Sequence, residues 1–495
     1  MTPHSSDRTR CLLDSVHGLV WLTPEEVEII DHPLFQRLRG IKQNGLLHLV
    51  FPPATHTRFE HSIGTIFVAS SMLDAIWRNS IVAGSKSPPG VVPIKQAEPG
   101  QAIKFPELND DELRTVYRIT RLAALVHDLG HGPLSHTFDA FAPTPEVVRK
   151  ALQDPQVRAL QKLESAFDVL RDRRYGKIKH EAMSCLFFAA IWRDRDPEIL
   201  IAVCAAILGE QVSSSVTPRL RPWVTLAHDL IASAPADADR MDYLERDSRS
   251  LGVTYGLFDR NRVLKTLLCY LEDRFGDRRY RLGLKKSGMR AIENLLQARF
   301  EMYVQVYYHK TNRAIFQMLE TIAEDGKQRI DLWPRQTFTD IANRYLAFSD
   351  EQFLRILCGD TEQVVPDSVK SLARQVANRQ LWKRIVDCEY NKAGPKETRE
   401  DAKREKANLQ TRFPDEPLRL DFADPEATKG LEQGARLLAR QRPGGVYALT
   451  DSGIAWEDVS PIIQALSKRE QAIARIFLCK NDETIARKIR FQNSN

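Results

Sequence analysis

Five of the twelve histidines lie in short polar motifs whose residue types could carry chemistry. They are His61, His127, His131, His136 and His180. His61, the pair His127-Asp128 and the later Asp239 offer two imidazoles and two carboxylates from three separate segments. Mixed nitrogen and oxygen ligands suit an octahedral divalent metal such as Fe, Mn, Ni or Mg better than a closed thiolate zinc site. The chain therefore contains the donor set of a divalent-metal centre.

A His-Asp pair alone is weak evidence for such a centre, as a second pair, His228-Asp229, illustrates. No glycines or further histidines surround that pair, and we expect it to be structural. His127-Asp128 differs because His131 and His136 follow it within a turn that contains glycine and proline. This concentration of polar groups is unusual for a purely structural loop and favours a functional site.

The segments that must position these residues have helical periodicity. Apolar residues recur at three- and four-residue intervals after His61, and again through residues 113–126 just before His127. Further helices are predicted within 182–208, interrupted near 194–197, and from Met289 towards Leu319. Strand patterns are few, at residues 18–22, 279–284 and 445–449. The pattern predicts a mainly α-helical protein with a few small β-hairpins.

Composition excludes several classes of protein. With 43% hydrophobic and 27% charged residues, the 495-residue chain is typical of globular proteins. Its net charge of +6 is compatible with an anionic ligand but too small for a dedicated nucleic-acid binder. The longest apolar run, Ile199–Leu208, is too short to span a bilayer, and the first eight residues lack the apolar region of a secretory signal. Seven cysteines without a CxxC pair suit a reducing compartment, so we expect a cytoplasmic protein.

The order and spacing of the motifs resemble one known family. His61, His127-Asp128 and Asp239 are similar to the H…HD…D signature of the HD-domain metal phosphohydrolases. Phe35–Gln43 and Phe51–Gly64 resemble one branch, the deoxynucleoside triphosphate triphosphohydrolases (dNTPases or dGTPases). That branch includes the animal enzyme with a sterile-alpha-motif domain and its bacterial relatives. The similarity covers about residues 10–320, and no part of the chain resembles the sterile-alpha-motif domain itself.

The resemblance implies a domain organisation. Residues 1–320 would form an HD-domain helical phosphohydrolase core, with surface insertions at about 84–110 and 142–178. Residues 321–495 would form a mostly helical C-terminal lobe with a role in oligomerisation or regulation.

The resemblance also implies a reaction, the cleavage of a deoxynucleoside triphosphate into a deoxynucleoside and inorganic triphosphate. Metal-bound hydroxide would attack the α-phosphate, and additional Mg would arrive with the nucleotide. The implied metal ligands are His61, His127, Asp128 and Asp239. Arg58 would neutralise charge, His136 would protonate the leaving 5′-oxygen, and Asp139 would orient His136. His131 and His180 would lie close to the phosphates.

Nucleotide-binding roles follow from the same resemblance. Arg58, Arg240, Tyr243 and Arg299 match phosphate-contacting positions, with Arg240 in place of a lysine. Gln43 and Asp247 match positions for the 3′-hydroxyl, and Tyr307 matches the aromatic ring beside the 2′ position. Spacings also support two helical stripes, Arg299-Tyr303-Tyr307 and Asp239-Tyr243-Asp247.

The chain departs from the animal enzyme at the sugar and the base. Asn44 stands in place of an apolar leucine, and its amide could accept a 2′-hydroxyl. Tyr303 and Tyr308 replace a histidine and a glutamine around the base. We therefore expect a different base preference and a different selectivity for deoxynucleotides over ribonucleotides.

Regulation is implied by a further match. Asp31, Gln36 and Arg39, with Arg10 in place of a lysine, match an effector-nucleotide site at a subunit interface. We therefore expect a homo-oligomer, from dimer to tetramer, with allosteric regulation. Asp31 could equally be a turn or capping residue. The biological use would be control of the nucleotide pool or antiviral defence against phage.

Two alternative functions use the same residues. An HD phosphodiesterase or nuclease that acts on cyclic or oligonucleotides would share the metal site, but would not need Tyr243, Arg299 and Tyr307 together. A nucleotide-sensing regulator would keep a vestigial metal site and act on a protein partner, for which the charged residues of the C-terminal lobe offer a surface. Nucleic acid as the main ligand and a membrane are not expected.

Overall fold

The computed structural model describes residues 9–81, 91–99, 101–105, 108–164, 167, 171, 175–232, 236–274, 276–327, 329–390, 395–423, 446–448, 460, 462 and 472–493. The α-helices are α1 Pro24–Asp31, α2 Pro33–Gln36, α3 Arg58–Asn79, α4 Asp110–Val126, α5 Pro145–Ala151, α6 His180–Trp192, α7 Pro197–Leu208, α8 Arg221–Ala232, α9 Ala238–Leu251, α10 Arg260–Leu264, α11 Met289–Met302, α12 Lys310–Gly326, α13 Phe338–Ala347, α14 Asp350–Cys358, α15 Asp367–Ala377, α16 Pro395–Arg412 and α17 Glu483–Asn493. The strands are β1 Arg10–Asp14, β2 Gly18–Leu22, β3 Val91–Val92, β4 Ala102–Ile103, β5 Leu267–Arg274, β6 Asp277–Lys285, β7 Lys383–Tyr390, β8 Leu418–Ala423, β9 Val446–Ala448 and β10 Ala472–Leu478.

A helical core carries the predicted metal ligands. Helix α3 packs against α4 and α9, and α4 also contacts α7 and α8. Helix α7 is buried from Ile199 to Leu208, because nearly every residue on it is apolar and the surrounding helices cover all of its faces. The mainly α-helical class predicted from periodicity is confirmed.

Three small sheets border this core. Strands β1 and β2 form an antiparallel hairpin before α1. Strands β3-β4-β5-β6-β9 form a second sheet, and β7-β10-β8 form a third. Residues 91–92 and 102–103, within the predicted insertion 84–110, thus add two short strands to a sheet. The third sheet was not predicted, and it combines with α16 and α17 in the C-terminal region.

The predicted helix from Met289 towards Leu319 is interrupted. Helix α11 ends at Met302, and residues Tyr303–Tyr307 form a turn of π-helix before α12 begins at Lys310. Tyr308 N donates to Tyr303 O at 2.8 Å, five residues back. Such turns are rare in proteins, and many of those that occur lie at functional sites.

Candidate metal centre and nucleotide cavity

Helix ends bring three of the four predicted metal ligands together. Thr57 and Glu60 form a capping box that starts α3, so His61 lies in its first turn. His127 directly follows the last residue of α4, and Asp239 lies in the first turn of α9. Ligand atoms of His61, His127 and Asp239 all lie within 4.8 Å of one another.

The fourth predicted ligand, Asp128, borders this group. Its Oδ2 is 3.6 Å from His61 Nε2, and its Oδ1 is 3.5 Å from His127 Nε2. Asp239 Oδ1 lies 3.1 Å from His61 Nε2 and 3.9 Å from His127 Nε2. The four side chains therefore meet around one point.

The tautomers of both histidines suit a metal. His61 Nδ1 lies 2.8 Å from Asp242 Oδ2, and His127 Nδ1 lies 2.8 Å from Ala124 O. Since both partners only accept, each Nδ1 carries a proton, so the Nε2 atom of the neutral imidazole would hold the lone pair that binds a metal. Neither buried Nε2 atom has a hydrogen-bond partner in the described part of the chain. A divalent cation would satisfy both nitrogens.

The local charge also favours a cation. Burial lowers the pKa of His61, but the carboxylates of Asp239 and Asp242 outweigh that effect and raise it to about 10. A site that stabilises the charged form of a buried imidazole stabilises positive charge. The residues present therefore fit a divalent metal.

A buried network stands behind His61. Asp242 Oδ1 lies 2.6 Å from His17 Nε2, and Asp242 also receives Arg246 Nε at 2.8 Å. Arg246 in turn pairs with Asp14 at 2.9 Å. Gly64 permits this approach of α3 to α9, since a Cβ there would lie 1.9 Å from Asp242 Oδ1. The hairpin before α1 thus supports a predicted metal ligand through Asp14 and His17.

A second group adjoins the first. Asp128, His131 and His180 bring ligand atoms within 4.8 Å of one another, and the two imidazoles stack at 3.7 Å between centroids. Arg58 bonds to Asp128 through Nη1, and its Nη2 lies 2.5 Å from Ser135 Oγ. Burial, Arg58 and His180 hold the pKa of His131 well below its usual value. A neutral His131 can donate to Asp128 Oδ1, 3.3 Å from its Nε2.

The loop after Asp128 has an unusual backbone. A Cβ on Gly130 would lie 2.2 Å from His180 O, so glycine lets α6 approach the loop closely. Leu134 and Ser135 have φ angles of 57° and 55°, which are uncommon for residues other than glycine. A 3-10 helix, Ser135–Ala140, follows and contains Asp139, which is half-buried. The side chain of His136 lies outside the described part of the structure.

A cavity of about 670 Å³ opens from the metal centre. Its lining includes every residue predicted to bind the nucleotide: Gln43, Asn44, Arg58, Arg240, Tyr243, Asp247, Arg299, Tyr303, Tyr307 and Tyr308. The cavity also reaches Arg313, Phe316 and Leu319 on α12. The structure thus brings the predicted positions together from four separate parts of the chain.

Cationic groups surround the part of the cavity beside the metal centre. Arg299 Nε donates to Tyr243 OH at 3.2 Å, and the guanidinium lies 5.0 Å from the centroid of the Tyr303 ring. Arg240 bonds to the carboxylate of Asp237, which caps α9. Burial raises the pKa of Tyr243 well above its ordinary value, so the phenol stays protonated.

The predicted sugar positions include polar atoms without partners. Gln43 Oε1 and Asn44 Nδ2 are buried and have no hydrogen-bond partner among the described residues. Asp247 is fully engaged instead, because Tyr307 OH donates to its Oδ2 at 2.5 Å and His56 Nε2 lies 2.6 Å from its Oδ1. Burial and Asp247 raise the pKa of Tyr307 well above its ordinary value.

The base end of the cavity, defined here by Tyr303, Tyr307 and Tyr308, rests on the third sheet. The ring of Tyr303 meets those of Tyr307 and Tyr308 edge to face, at 5.1 and 5.4 Å between centroids. Tyr308 packs on Ala423 of β8 and Ile473 of β10. These contacts join the cavity to the C-terminal region.

The predicted effector residues lie at the surface near α1 and α2. Arg10 and Asp31 are exposed. Gln36 Nε2 donates to Ile30 O at 2.7 Å, and Arg39 Nε donates to Gln36 Oε1 at 2.8 Å. Gln36 and Arg39 therefore have partners within the chain, and an effector site stays a prediction.

Sequence reasoning missed several residues of the site. His56 and Asp242 each contact a predicted site residue, His17 contacts Asp242, and none of the three was singled out. Asp242 could have been found, because it lies three residues after Asp239 on the same helix. His17 and His56 carry no comparable local signal, since their partners are roughly 190 to 225 residues away.

The helix-terminal His-Asp pair lies beside a distant histidine and a distant aspartate, as in the H…HD…D signature, and the chain is similar to known proteins of the HD class. The profile of the HD associated region matches residues 259–413. The uncharacterized protein MJ1154 of Methanocaldococcus jannaschii is 28% identical over 484 residues, which are 96% of this chain and 80% of that protein. Human deoxynucleoside triphosphate triphosphohydrolase SAMHD1 is 28% identical over 399 residues, covering 77% of this chain and 56% of the human protein.

A solved structure has a similar fold. The crystal structure of a hypothetical protein from Aquifex aeolicus has a TM-score of 0.62 at 23% identity, and the match covers 98% of this chain and 99% of that one. This chain is similar to the HD-domain deoxynucleoside triphosphate triphosphohydrolases. It spans little more than half the length of the human relative. No helix among the described residues has the length and apolarity needed to cross a membrane.

Proposed function

We propose that the protein hydrolyses deoxynucleoside triphosphates to a deoxynucleoside and inorganic triphosphate. The observation that carries the proposal is a shared space: the metal-ligand set opens onto the same cavity as Arg58, Arg240 and Arg299. Guanidinium groups are well suited to several phosphate oxygens, because their planar donors match phosphate geometry. The name of the human relative supports the same substrate class.

Each group has a proposed part in the reaction. His61, His127, Asp128 and Asp239 would hold the metal, which activates water and offsets phosphoryl charge when bound. Arg58 neutralises charge on the α-phosphate, and its bonds to Asp128 and Ser135 fix its direction. Stacked His131 and His180 bind phosphate oxygens.

Proton transfer to the departing 5′-oxygen is assigned to His136. Its position in the same 3-10 helix as Asp139 supports this assignment, since one turn brings an imidazole and its orienting carboxylate close in the chain. A histidine suits the step because its ordinary pKa lies near neutral pH.

Product analysis of the purified protein tests the proposal. Each dNTP and NTP is supplied singly and in mixtures with Mg, Mn or Fe, and nucleoside, nucleotides and inorganic triphosphate are resolved by chromatography. Deoxynucleoside with inorganic triphosphate is the expected result, whereas nucleoside mono- or diphosphate would contradict it. Turnover confined to mixtures would support an effector site at Arg10, Asp31, Gln36 and Arg39.

A variant separates the alternatives. Asp239→Ala should abolish turnover, while Asp194→Ala, which changes an exposed aspartate, should keep it. Cleavage of a cyclic or oligonucleotide by the wild-type protein would favour a phosphodiesterase. A nucleotide-induced rise in Tm that survives Asp239→Ala, without turnover in the wild type, would favour a sensor.

A further inference from the structure

One carboxylate joins two loops of the cavity from outside the predicted core. Asp350 begins α14 and is 2% exposed. Its Oδ2 accepts Lys42 N–H at 2.8 Å, and its Oδ1 accepts Leu134 N–H at 2.7 Å. Both oxygens are therefore committed to backbone groups that lie 92 residues apart in sequence.

The first loop, residues 42–45, is called the sugar loop here. Gln43, Asn44 and Gly45 line the cavity. Gln43 N donates to His56 O at 3.0 Å, and Lys42 pairs with Thr57 in a β-bridge, so the loop adjoins the start of α3. The position of Lys42 thus determines where the side chains of the next two residues enter the cavity.

The second loop, residues 134–136, is called the acid loop. Leu134 and Ser135 both have left-handed φ angles, and such conformations persist where surrounding contacts impose them. The bond from Leu134 N to Asp350 is one such contact. The Oγ atom of the following residue, Ser135, accepts a hydrogen bond from Arg58 Nη2. The two loops also approach each other directly, since a Cβ on Gly45 would lie 3.4 Å from Leu134 O.

We propose that Asp350 is a positioning residue that sets the sugar loop and the acid loop relative to each other. Two charge-assisted bonds to backbone N–H groups of different loops make it a rigid clamp. Its loss would move Gln43 and Asn44 relative to Arg58 and the turn that contains His136. Turnover and discrimination at the 2′ position would therefore change together. The kinetic part of this inference rests on the proposed function, but the clamp itself can be measured without turnover.

The kinetic test compares Asp350→Asn with Glu351→Gln, an exposed neighbour on the same helix that also loses one charge. An amide can accept only one of the two N–H bonds. We expect kcat to fall by roughly 10- to 100-fold in Asp350→Asn, as for other small misplacements of reacting groups. The ratio of kcat/KM for a dNTP over its ribonucleotide should change by about fivefold or more. A smaller fraction of folded protein would lower both rates equally and leave this ratio unchanged.

Hydrogen exchange reports the clamp directly. In the wild type, the amides of Lys42 and Leu134 should exchange slowly, and peptides spanning 38–46 and 131–138 should exchange faster in Asp350→Asn. Should that variant fail to fold, Asp350→Glu keeps the charge and displaces the oxygens. An unchanged substrate ratio with unchanged exchange, or rapid exchange of both amides in the wild type, would overturn the inference. A wild type without turnover would refute the proposed function, while protected amides would still support the clamp.

Discussion

The two ends of the cavity are held by different kinds of contact. At the metal end, His61 is supported by buried charges from β1, the turn that follows it and α9. At the base end, a π-helical turn of tyrosines rests on strands β8 and β10, more than a hundred residues further along the chain. The metal end is thus positioned within residues 14–251, whereas the base end depends on the C-terminal region. This difference suggests that metal binding and base recognition can be altered separately.

The largest effect is expected from the support behind His61. Asp242→Asn keeps an acceptor for His61 Nδ1–H but removes the charge that Arg246 and His17 face. Partners of this type usually contribute about 10- to 100-fold to metal affinity, and we expect a loss of that size. Metal content after equilibration against graded chelator would measure it. His228→Gln is the matched control, because that histidine belongs to the second His-Asp pair and bonds to Ala206 O.

One outcome would contradict this prediction for Asp242→Asn. If Asp242→Asn retained the metal affinity of the wild type while its Tm fell, the network behind His61 would be a stability element alone. Metal binding would then no longer be a property that can be altered separately from base recognition through this network.

The same contrast explains what could be predicted from the sequence. His61, His127 and Asp239 lie at helix ends. Capping residues, glycines and apolar periodicity mark such ends in the sequence, so their motifs can be predicted from it. The base end can be predicted only in part. The helical spacing indicates Tyr303 and Tyr307, but it does not indicate the π-helical turn between them. Sheet β7-β10-β8 and Asp350 escaped detection because long-range pairing leaves little local signal. Domain boundaries stay a prediction.

An intermediate effect, on the selectivity for deoxynucleotides over ribonucleotides, is expected at the sugar loop. Asn44 Nδ2 is buried without a partner among the described residues, so the amide is available to a 2′-hydroxyl. Asn44→Leu should raise the ratio of kcat/KM for a dNTP over its ribonucleotide by about tenfold, because a polar group is replaced by an apolar one. Metal affinity should stay unchanged. Asn378→Leu, an exposed position outside the cavity lining, is the control. A wild type that hydrolyses no ribonucleotide would contradict this role of Asn44.

The smallest effect is expected at the base end, and it tests the comparison most directly. Arg475 of β10 donates to Tyr308 O at 2.7 Å and pairs with Asp387 at 3.1 Å. Arg475→Met keeps the buried stem but removes both bonds, so Tyr308 keeps its packing on the sheet but loses its hydrogen bond to β10. We expect KM to rise by about three- to tenfold, the effect of one lost charge-assisted bond, and to differ between bases. Arg487→Met, at an exposed position on α17, should leave KM unchanged. Loss of metal from Arg475→Met, measured as for Asp242→Asn, would mean that the C-terminal sheet holds both ends of the cavity.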